Sequence, residues 1–266
     1  MPELPEVETA KRQLNVVCGK TITKVIVTKD IKLRIPVPST ALKKLVGKTV
    51  IEIKRRGKYI FLHCGSKFLV CHFGMTGMIF LNRQTPHLIF KLVFDDGSYI
   101  AYCDTRRFGA VHVINDANVK DFIINTGVGV EPLTKNFNSD YLKDLLAAYK
   151  MPIKEFLLNQ GFIAGIGNIY ASEICFAAKL SPFRPANECL SKSKLLVKAI
   201  KCILRAAIEN GGSTVNSYST PNGEQGYAQL SHKVYGKAGT KCECGAYITK
   251  ANQKGRSTFY CARCQR

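Results

Sequence analysis

A change of period divides this chain. From about residue 21 to residue 113 it is a series of short β-rich runs, and from about residue 138 to residue 210 helical periodicity replaces them. Thr23-Lys24-Val25-Ile26-Val27, Val50-Ile51-Glu52-Ile53, Tyr59-Ile60-Phe61-Leu62, Leu88-Ile89-Phe90-Lys91-Leu92-Val93-Phe94 and Ala110-Val111-His112-Val113 are the clearest runs, with turn signals such as Asp95-Asp96-Gly97 between them. Many short strands at this spacing predict an antiparallel sandwich or barrel. Ahead of them, residues 3–17 read as an amphipathic helix with Val7, Ala10 and Leu14 on one face. Helical stretches at 138–149, 153–160, 168–178 and 192–210 follow a loop-like linker near 127–137, and Ser191 or Ser193 can cap the last. Residues 211–241 are glycine- and polar-rich and read as loop. The expected fold class is α+β and multidomain. An antiparallel β-sandwich or barrel with flanking helices (1–130) precedes a helical domain (131–236) and a terminal cysteine hairpin (237–266).

Seven of the 11 cysteines are scattered singly, which fits reduced core thiols in a cytosolic protein. The other four cluster as Cys242-x-Cys244, 16 residues, then Cys261-x-x-Cys264. Two cysteine pairs flanking a short β-rich segment read as a zinc ribbon with one structural zinc. A segment this small has no core of its own, so metal binding drives its folding. The first knuckle is one residue shorter than the usual spacing and strains its turn. Lys250, Lys254 and Arg256 between the pairs make the hairpin basic.

Lys and Arg number 39 against 19 Asp and Glu, a net charge of +20. Such an excess points to a polyanion, nucleic acid before an anionic membrane. No apolar run reaches the 18 or so residues of a membrane span, and the start lacks the pattern of a signal peptide.

Met1-Pro2-Glu3 opens the chain. Removal of Met1 leaves a terminal proline, a secondary amine that condenses with an aldehyde-level carbon to a cationic iminium. An α-amino group titrates at roughly 7.7–8.0 against about 10.4 for lysine, so a useful fraction is nucleophilic at neutral pH. Glu3 beside it supplies the acid/base partner that covalent catalysis needs. Residue by residue, a stiff proline-punctuated terminus without chemistry is the plainer alternative.

Seven segments nevertheless occur together and in order. They are Pro2-Glu3-Leu4-Pro5-Glu6-Val7-Glu8, Arg56-Gly57-Lys58-Tyr59, His72-Phe73-Gly74-Met75-Thr76-Gly77, Asp104-Thr105-Arg106-Arg107-Phe108-Gly109, Gly165-Ile166-Gly167-Asn168-Ile169-Tyr170-Ala171-Ser172-Glu173, Val234-Tyr235-Gly236 and the terminal cysteines. Across essentially the whole chain they resemble bacterial formamidopyrimidine-DNA glycosylase. The resemblance implies an N-terminal β-sandwich begun by a helix, a helix–two-turn–helix in the helical domain and a zinc finger at the end. It also implies a monomeric, cytoplasmic, nucleoid-associated repair enzyme. Its partner is duplex DNA carrying an oxidised purine or an abasic site; it excises 8-oxoguanine and formamidopyrimidines, then cuts the strand by β- and δ-elimination.

The resemblance also assigns roles. Pro2 is the nucleophile, Glu3 assists opening of the sugar ring, and Lys58 contacts phosphate and aids proton transfer; by itself Lys58 is one more cation in the run Lys54-Arg55-Arg56. A base must leave the stack to be processed, and Met75, Arg106 and Phe108 match the residues that fill the void. His72, His87, Lys154 and Asn168 match phosphate contacts, Asn168 being equally suited to cap a helix. Arg256 matches a fingertip arginine implicated in the second elimination. Glu6 and the loop from Ser217 and Tyr218 to Tyr227 match the region closing over the flipped base. An endonuclease VIII-like enzyme for oxidised pyrimidines is the nearest rival, disfavoured by Leu4 and by the complete Met75/Arg106/Phe108 set. A non-catalytic DNA-binding zinc protein is the rival from another class, disfavoured by the presence of Pro2, Glu3 and Lys58.

Overall fold

Alternation of side chains across the pleat decides the first half of the fold. The structure, a computed structural model, describes residues 1–28, 33–35, 37–83, 85–214 and 219–266. Eight strands form two antiparallel sheets. β1 (Ile22–Val27), β5 (Gly77–Leu81), β6 (Leu88–Phe94) and β7 (Tyr99–Asp104) run in the order β1-β6-β7-β5. β2 (Val50–Arg56), β3 (Tyr59–Cys64), β4 (Lys67–His72) and β8 (Ala110–Asn115) run in the order β2-β3-β4-β8. In β3, Ile60, Leu62 and Cys64 enter the core shared with Ile79, Phe90 and Leu92 of the other sheet. Phe61, between them, faces the opposite way, into a second cluster with Phe68 and Val70.

Two short helices and one longer one flank the sandwich: α1 (Leu4–Leu14), α2 (Ser39–Lys43) and α3 (Val119–Asn125). Val7, Ala10 and Leu14, the face expected from the sequence, bury in the main core, and Phe122 and Ile123 of α3 cover the second cluster. α1 ends earlier than expected, because residues 15–17 tighten into a 3₁₀ turn.

The helical half contains α4 (Ser139–Ala147), α5 (Ile153–Leu158), α6 (Asn168–Ala177) and α7 (Ser193–Glu209). Asn138 caps α4 by accepting from the Asp140 and Tyr141 amides. Two turns join α5 to α6. Asn159 accepts from the Phe162 and Ile163 amides in the first, and the Gln160 side chain spans the second between Gly165 N–H and Ile166 C=O. This is a helix–two-turn–helix. The hairpin β9 (Thr249–Gln253) and β10 (Arg256–Tyr260) closes the chain.

The chain groups into two units, Met1–Thr126 with Asn210–Gln229, and Gly127–Glu209 with Leu230–Arg266. Sequence position would put residues 210–229 with the helices. Hydrogen bonds place them with the sandwich instead: Ser213 N–H donates to Glu6 Oε1 at 2.7 Å, Leu81 N–H to Pro221 C=O at 2.9 Å, and Asn222 N–H to Gln13 Oε1 at 3.2 Å. Among the described residues no helix is long and apolar enough to cross a membrane.

Phe90 is buried in the sandwich and stacks on Tyr102 with ring centroids 5.4 Å apart. Phe90→Ala should destabilise the first unit by about 3–5 kcal/mol, read as a shift of its urea midpoint. A loss below about 1 kcal/mol would mean that the two sheets do not share one tightly packed core.

Candidate active site and nucleic-acid interface

The start of α1 is built to hold Pro2 and Glu3 in place. Glu3 is the N-cap and forms a capping box with Glu6, whose Oε2 accepts from the Glu3 amide at 2.8 Å. Pro5 fits the first turn because its missing N–H is not needed there. Pro2, Glu3 and Glu6 are all buried. Glu6 spends its other oxygen, Oε1, on Ser213, so one carboxylate joins the helix start to the chain leading into residues 215–218. Ser217 and Tyr218, expected at the base pocket, lie outside the described residues.

The chain's first amine, on Met1, is held below its ordinary value, chiefly by burial. Glu3 and Glu6 pull it up, and Lys58 and Arg106 push it down. These five groups therefore share one electrostatic neighbourhood around the start of the chain. Lys58 sits in the two-residue turn between β2 and β3, where Gly57 takes a φ of +55°, and is buried.

His72, at the end of β4, stacks obliquely on Tyr59 and accepts the Gly74 amide at Nδ1, 3.1 Å away. Burial, then Lys58 and Arg34, lower its pKa to about 4. The ring is neutral at pH 7 with its proton on Nε2, a donor suited to phosphate oxygen.

Met75 and Phe108 are 40% and 45% exposed, which separates them from the core fate usual for such residues. Their two loops are tied by Asp104, a fully buried carboxylate at the end of β7. Asp104 Oδ1 accepts from Thr76 Oγ1 at 2.6 Å and Oδ2 from the Gly109 amide at 2.8 Å; Thr76 Oγ1 in turn accepts from the Arg106 amide at 2.9 Å. The Arg106 guanidinium lies over the Phe108 ring, 4.9 Å from its centre. A Cβ at Gly74 would come within 2.4 Å of Phe108 C=O, so only glycine lets the loops approach this closely. His87 is exposed in a left-handed conformation, φ +65°, and its carbonyl accepts the Asp104 amide at 3.1 Å.

In the second unit, Asn168 is the first residue of α6 and Gly167 is the cap, so the asparagine side chain is not spent on capping. Its Oδ1 accepts from Lys154 Nζ at 2.7 Å and its Nδ2 donates to Ser257 C=O at 2.9 Å. Lys154, at 1% exposed, also donates to Thr258 Oγ1 at 2.8 Å and Ser257 C=O at 3.2 Å. Lys154 is thus an internal strut between α5, α6 and the hairpin rather than a surface cation. Arg256 is exposed at the start of β10, next to the tip formed by Lys254 and Gly255.

The sulfurs of Cys242, Cys244, Cys261 and Cys264 all lie within 4.8 Å of one another, with Cys242–Cys264 at 3.8 Å and Cys244–Cys261 at 3.5 Å. Tetrahedral Zn–S bonds of about 2.3 Å require sulfurs about 3.8 Å apart, so the donor set fits one structural zinc. The shortened knuckle closes through Gly245, at φ +87°, whose amide donates to Cys242 C=O at 2.8 Å.

Sequence reasoning gave no role to Asp104 or Thr76. The signal was available: an acidic residue ends the otherwise apolar strand Tyr99-Ile100-Ala101-Tyr102-Cys103-Asp104.

Three family models match this arrangement: the formamidopyrimidine-DNA glycosylase N-terminal domain over residues 1–111, the formamidopyrimidine-DNA glycosylase H2TH domain over 128–219, and a zinc finger found in FPG and IleRS over 241–266. The formamidopyrimidine-DNA glycosylases of Zymomonas mobilis and Bacillus subtilis are 42% and 40% identical to the whole chain, which covers 100% and 99% of them. The Lactococcus lactis Fpg in complex with DNA containing an abasic site superposes with a TM-score of 0.92 at 35% identity, over 99% of both chains. The MutM (FPG) protein of Thermus thermophilus superposes with a TM-score of 0.89 at 37% identity, over 99% of this chain and 98% of that one. The chain belongs to the formamidopyrimidine-DNA glycosylase family.

Purified protein should carry about one zinc per chain by metal analysis; a metal-free chain with a folded hairpin would remove the structural role. His72 gives a pH signature. Its folded pKa, about 4, lies below the unfolded value of 6.5, so its contribution to stability is complete above pH 6.5 and is lost as pH falls toward 4. His72→Gln should make the first unit's denaturation midpoint less sensitive to acid across that window; an unchanged slope would mean the ring is not held neutral.

Proposed function

We propose that this chain excises oxidised purines, 8-oxoguanine and formamidopyrimidines, from duplex DNA through an iminium on Pro2 and then cuts the strand. The observation that supports the reading best is the start of α1. It brings Pro2, a buried Glu3 and the charges of Lys58 and Arg106 into one neighbourhood. After loss of Met1 the amine belongs to Pro2, and the same burial and neighbouring cations favour its neutral, nucleophilic form.

The Pro2 nitrogen attacks the anomeric carbon, the bond to the base breaks, and the departing base takes a proton. Glu3 donates to the ring oxygen as the sugar opens, leaving a C=N⁺ iminium. The iminium acidifies the neighbouring sugar proton. Its removal expels the 3′ phosphate, and Lys58 stabilises the phosphate and carries protons. A second elimination expels the 5′ phosphate, with Arg256 at that charge.

Extruding a base costs a few kcal/mol. The exposed Phe108 and Met75 fill the space it leaves, and Arg106 faces the orphaned cytosine, whose ring offers acceptors. Loops tied to a buried carboxylate enter the stack without first being ordered, which lowers the entropic cost of binding. His72, His87, Asn168 and Arg256 contact phosphate, and Lys154 serves by holding Asn168. Phosphate contacts position the duplex; the pocket and the cost of flipping select the lesion. The excess of positive charge predicts affinity that falls steeply with salt. The protein works as a monomer on chromosomal DNA, in the cytoplasm at the nucleoid.

The test is borohydride trapping on a duplex with 8-oxoguanine opposite cytosine. A covalent adduct should form and map by peptide mass to residue 2. Pro2→Gly should keep lesion binding and lose excision by at least about 100-fold, the order lost with a positioned reacting group. An unchanged excision rate, or an adduct on a lysine, would sink the proline mechanism. Faster trapping on thymine glycol would favour an oxidised-pyrimidine enzyme.

A further inference from the structure

The basic run Lys54-Arg55-Arg56 invites assignment to phosphate, but Arg55 is turned inward. Its side chain is only 10% exposed, and that of Glu8, on α1, 16%. Arg55 Nε donates to Glu8 Oε2 at 2.8 Å, while Nη1 donates to the carbonyl of Gly57 at 3.0 Å. That carbonyl belongs to the peptide bond that starts Lys58. One rigid guanidinium therefore grips the helix that carries Glu3 with one nitrogen and the turn that carries Lys58 with another. Lys11 and Arg12 approach the other Glu8 oxygen at 3.9 and 3.3 Å. The ladder pairs Arg56 with Tyr59 and Arg55 with Ile60, so the turn has no spare residue to absorb a shift.

We propose that Glu8 and Arg55 are positioning residues that set the Lys58 ammonium relative to the Pro2 nitrogen; the inference rests on the roles given to Pro2 and Lys58 above. A lysine ammonium swings on four carbons, so its place depends on where its backbone is anchored. Lysine cannot replace Arg55, because a point charge does not reach two acceptors in a fixed fork. Displacing a reacting group by about 1 Å costs on the order of 100-fold in rate.

The experiment compares the wild type with Glu8→Gln, Arg55→Met, Arg55→Lys, Lys58→Met and the Arg55→Met/Lys58→Met double variant. Five quantities are read: single-turnover excision and borohydride trapping on 8-oxoguanine opposite cytosine; affinity and salt slope on a duplex carrying a tetrahydrofuran abasic analogue; and thermal melting. Arg55→Met and Glu8→Gln should slow excision and trapping at least about tenfold while affinity stays within about twofold. Arg55→Lys should restore the melting temperature but not the rate. On the Lys58→Met background, Arg55→Met should slow excision by less than about a further twofold, because the two act through one ammonium.

A wild-type rate in both single variants overturns the inference and leaves the proline mechanism standing. So does a loss of affinity and a shallower salt slope at unchanged rate, which would make Arg55 a phosphate cation. An undiminished Arg55→Met effect without Lys58 also overturns it, since the residue would then only support the fold. If Arg55→Met fails to fold, Glu8→Gln and Arg55→Lys decide by the same split between rate and affinity. A wild type that neither excises nor traps sinks the proposed function first, and the inference with it.

Discussion

The Glu6 carboxylate is the interaction on which the candidate site of the first unit depends. One oxygen closes the first turn of α1 and so fixes Glu3 and Pro2; the other fixes Ser213 and so the entry to residues 215–218. A buried carboxylate is tolerable only when its lone pairs are satisfied, and here two backbone amides share that task. Ser213 follows Glu6 by 207 positions in sequence. With the Asn222 amide on Gln13, this clamp holds the chain that returns from the helical half against α1. The same logic repeats at Asp104, where another buried carboxylate with amide and hydroxyl donors joins the loops of Met75 and Phe108. The site is made of loops, yet each loop is tied to a charge that cannot move without being stranded.

Much of this was legible in the order of residues. The number and spacing of short strands gave a sandwich or barrel, Val7, Ala10 and Leu14 gave the buried face of α1, and four cysteines gave the ribbon. These are signals of local period or of fixed donor chemistry, which a single sequence carries in full. What was not legible is long-range. Residues 210–229 pack with the sandwich through hydrogen bonds to Glu6, Leu81 and Gln13, partners that no periodicity announces. Lys154 matched a phosphate contact by resemblance, and its burial was not legible, because a buried lysine satisfied by an amide oxygen, a hydroxyl and a carbonyl has the same letter as a solvated one. Asn168 read equally well as a cap. Only the helix geometry shows that Gly167 takes that place and leaves the side chain for other partners.

Exposure and rigidity are combined unusually at Met75 and Phe108. Exposed apolar side chains are ordinarily mobile and contribute little. Here the backbone beneath them is pinned by Asp104, Thr76 and the close approach at Gly74. Their apolar surface stays available to a partner, which is what the proposed entry into a gap in a base stack would draw on.

The strut at Lys154 carries the state of the metal to a distance. The hairpin owes its shape to zinc, and Lys154 holds the Asn168 amide with the same ammonium that holds the Ser257 carbonyl and the Thr258 hydroxyl. Thiolates are among the groups that oxidants attack first. Oxidants that damage purines therefore also threaten the four sulfurs on which this hairpin stands. When the ribbon opens, the ammonium loses two of these neighbours and the Asn168 side chain loses the Ser257 carbonyl to which it donates. Oxidation would reach the helix end through Lys154 and the Ser257 carbonyl, without modifying a residue there.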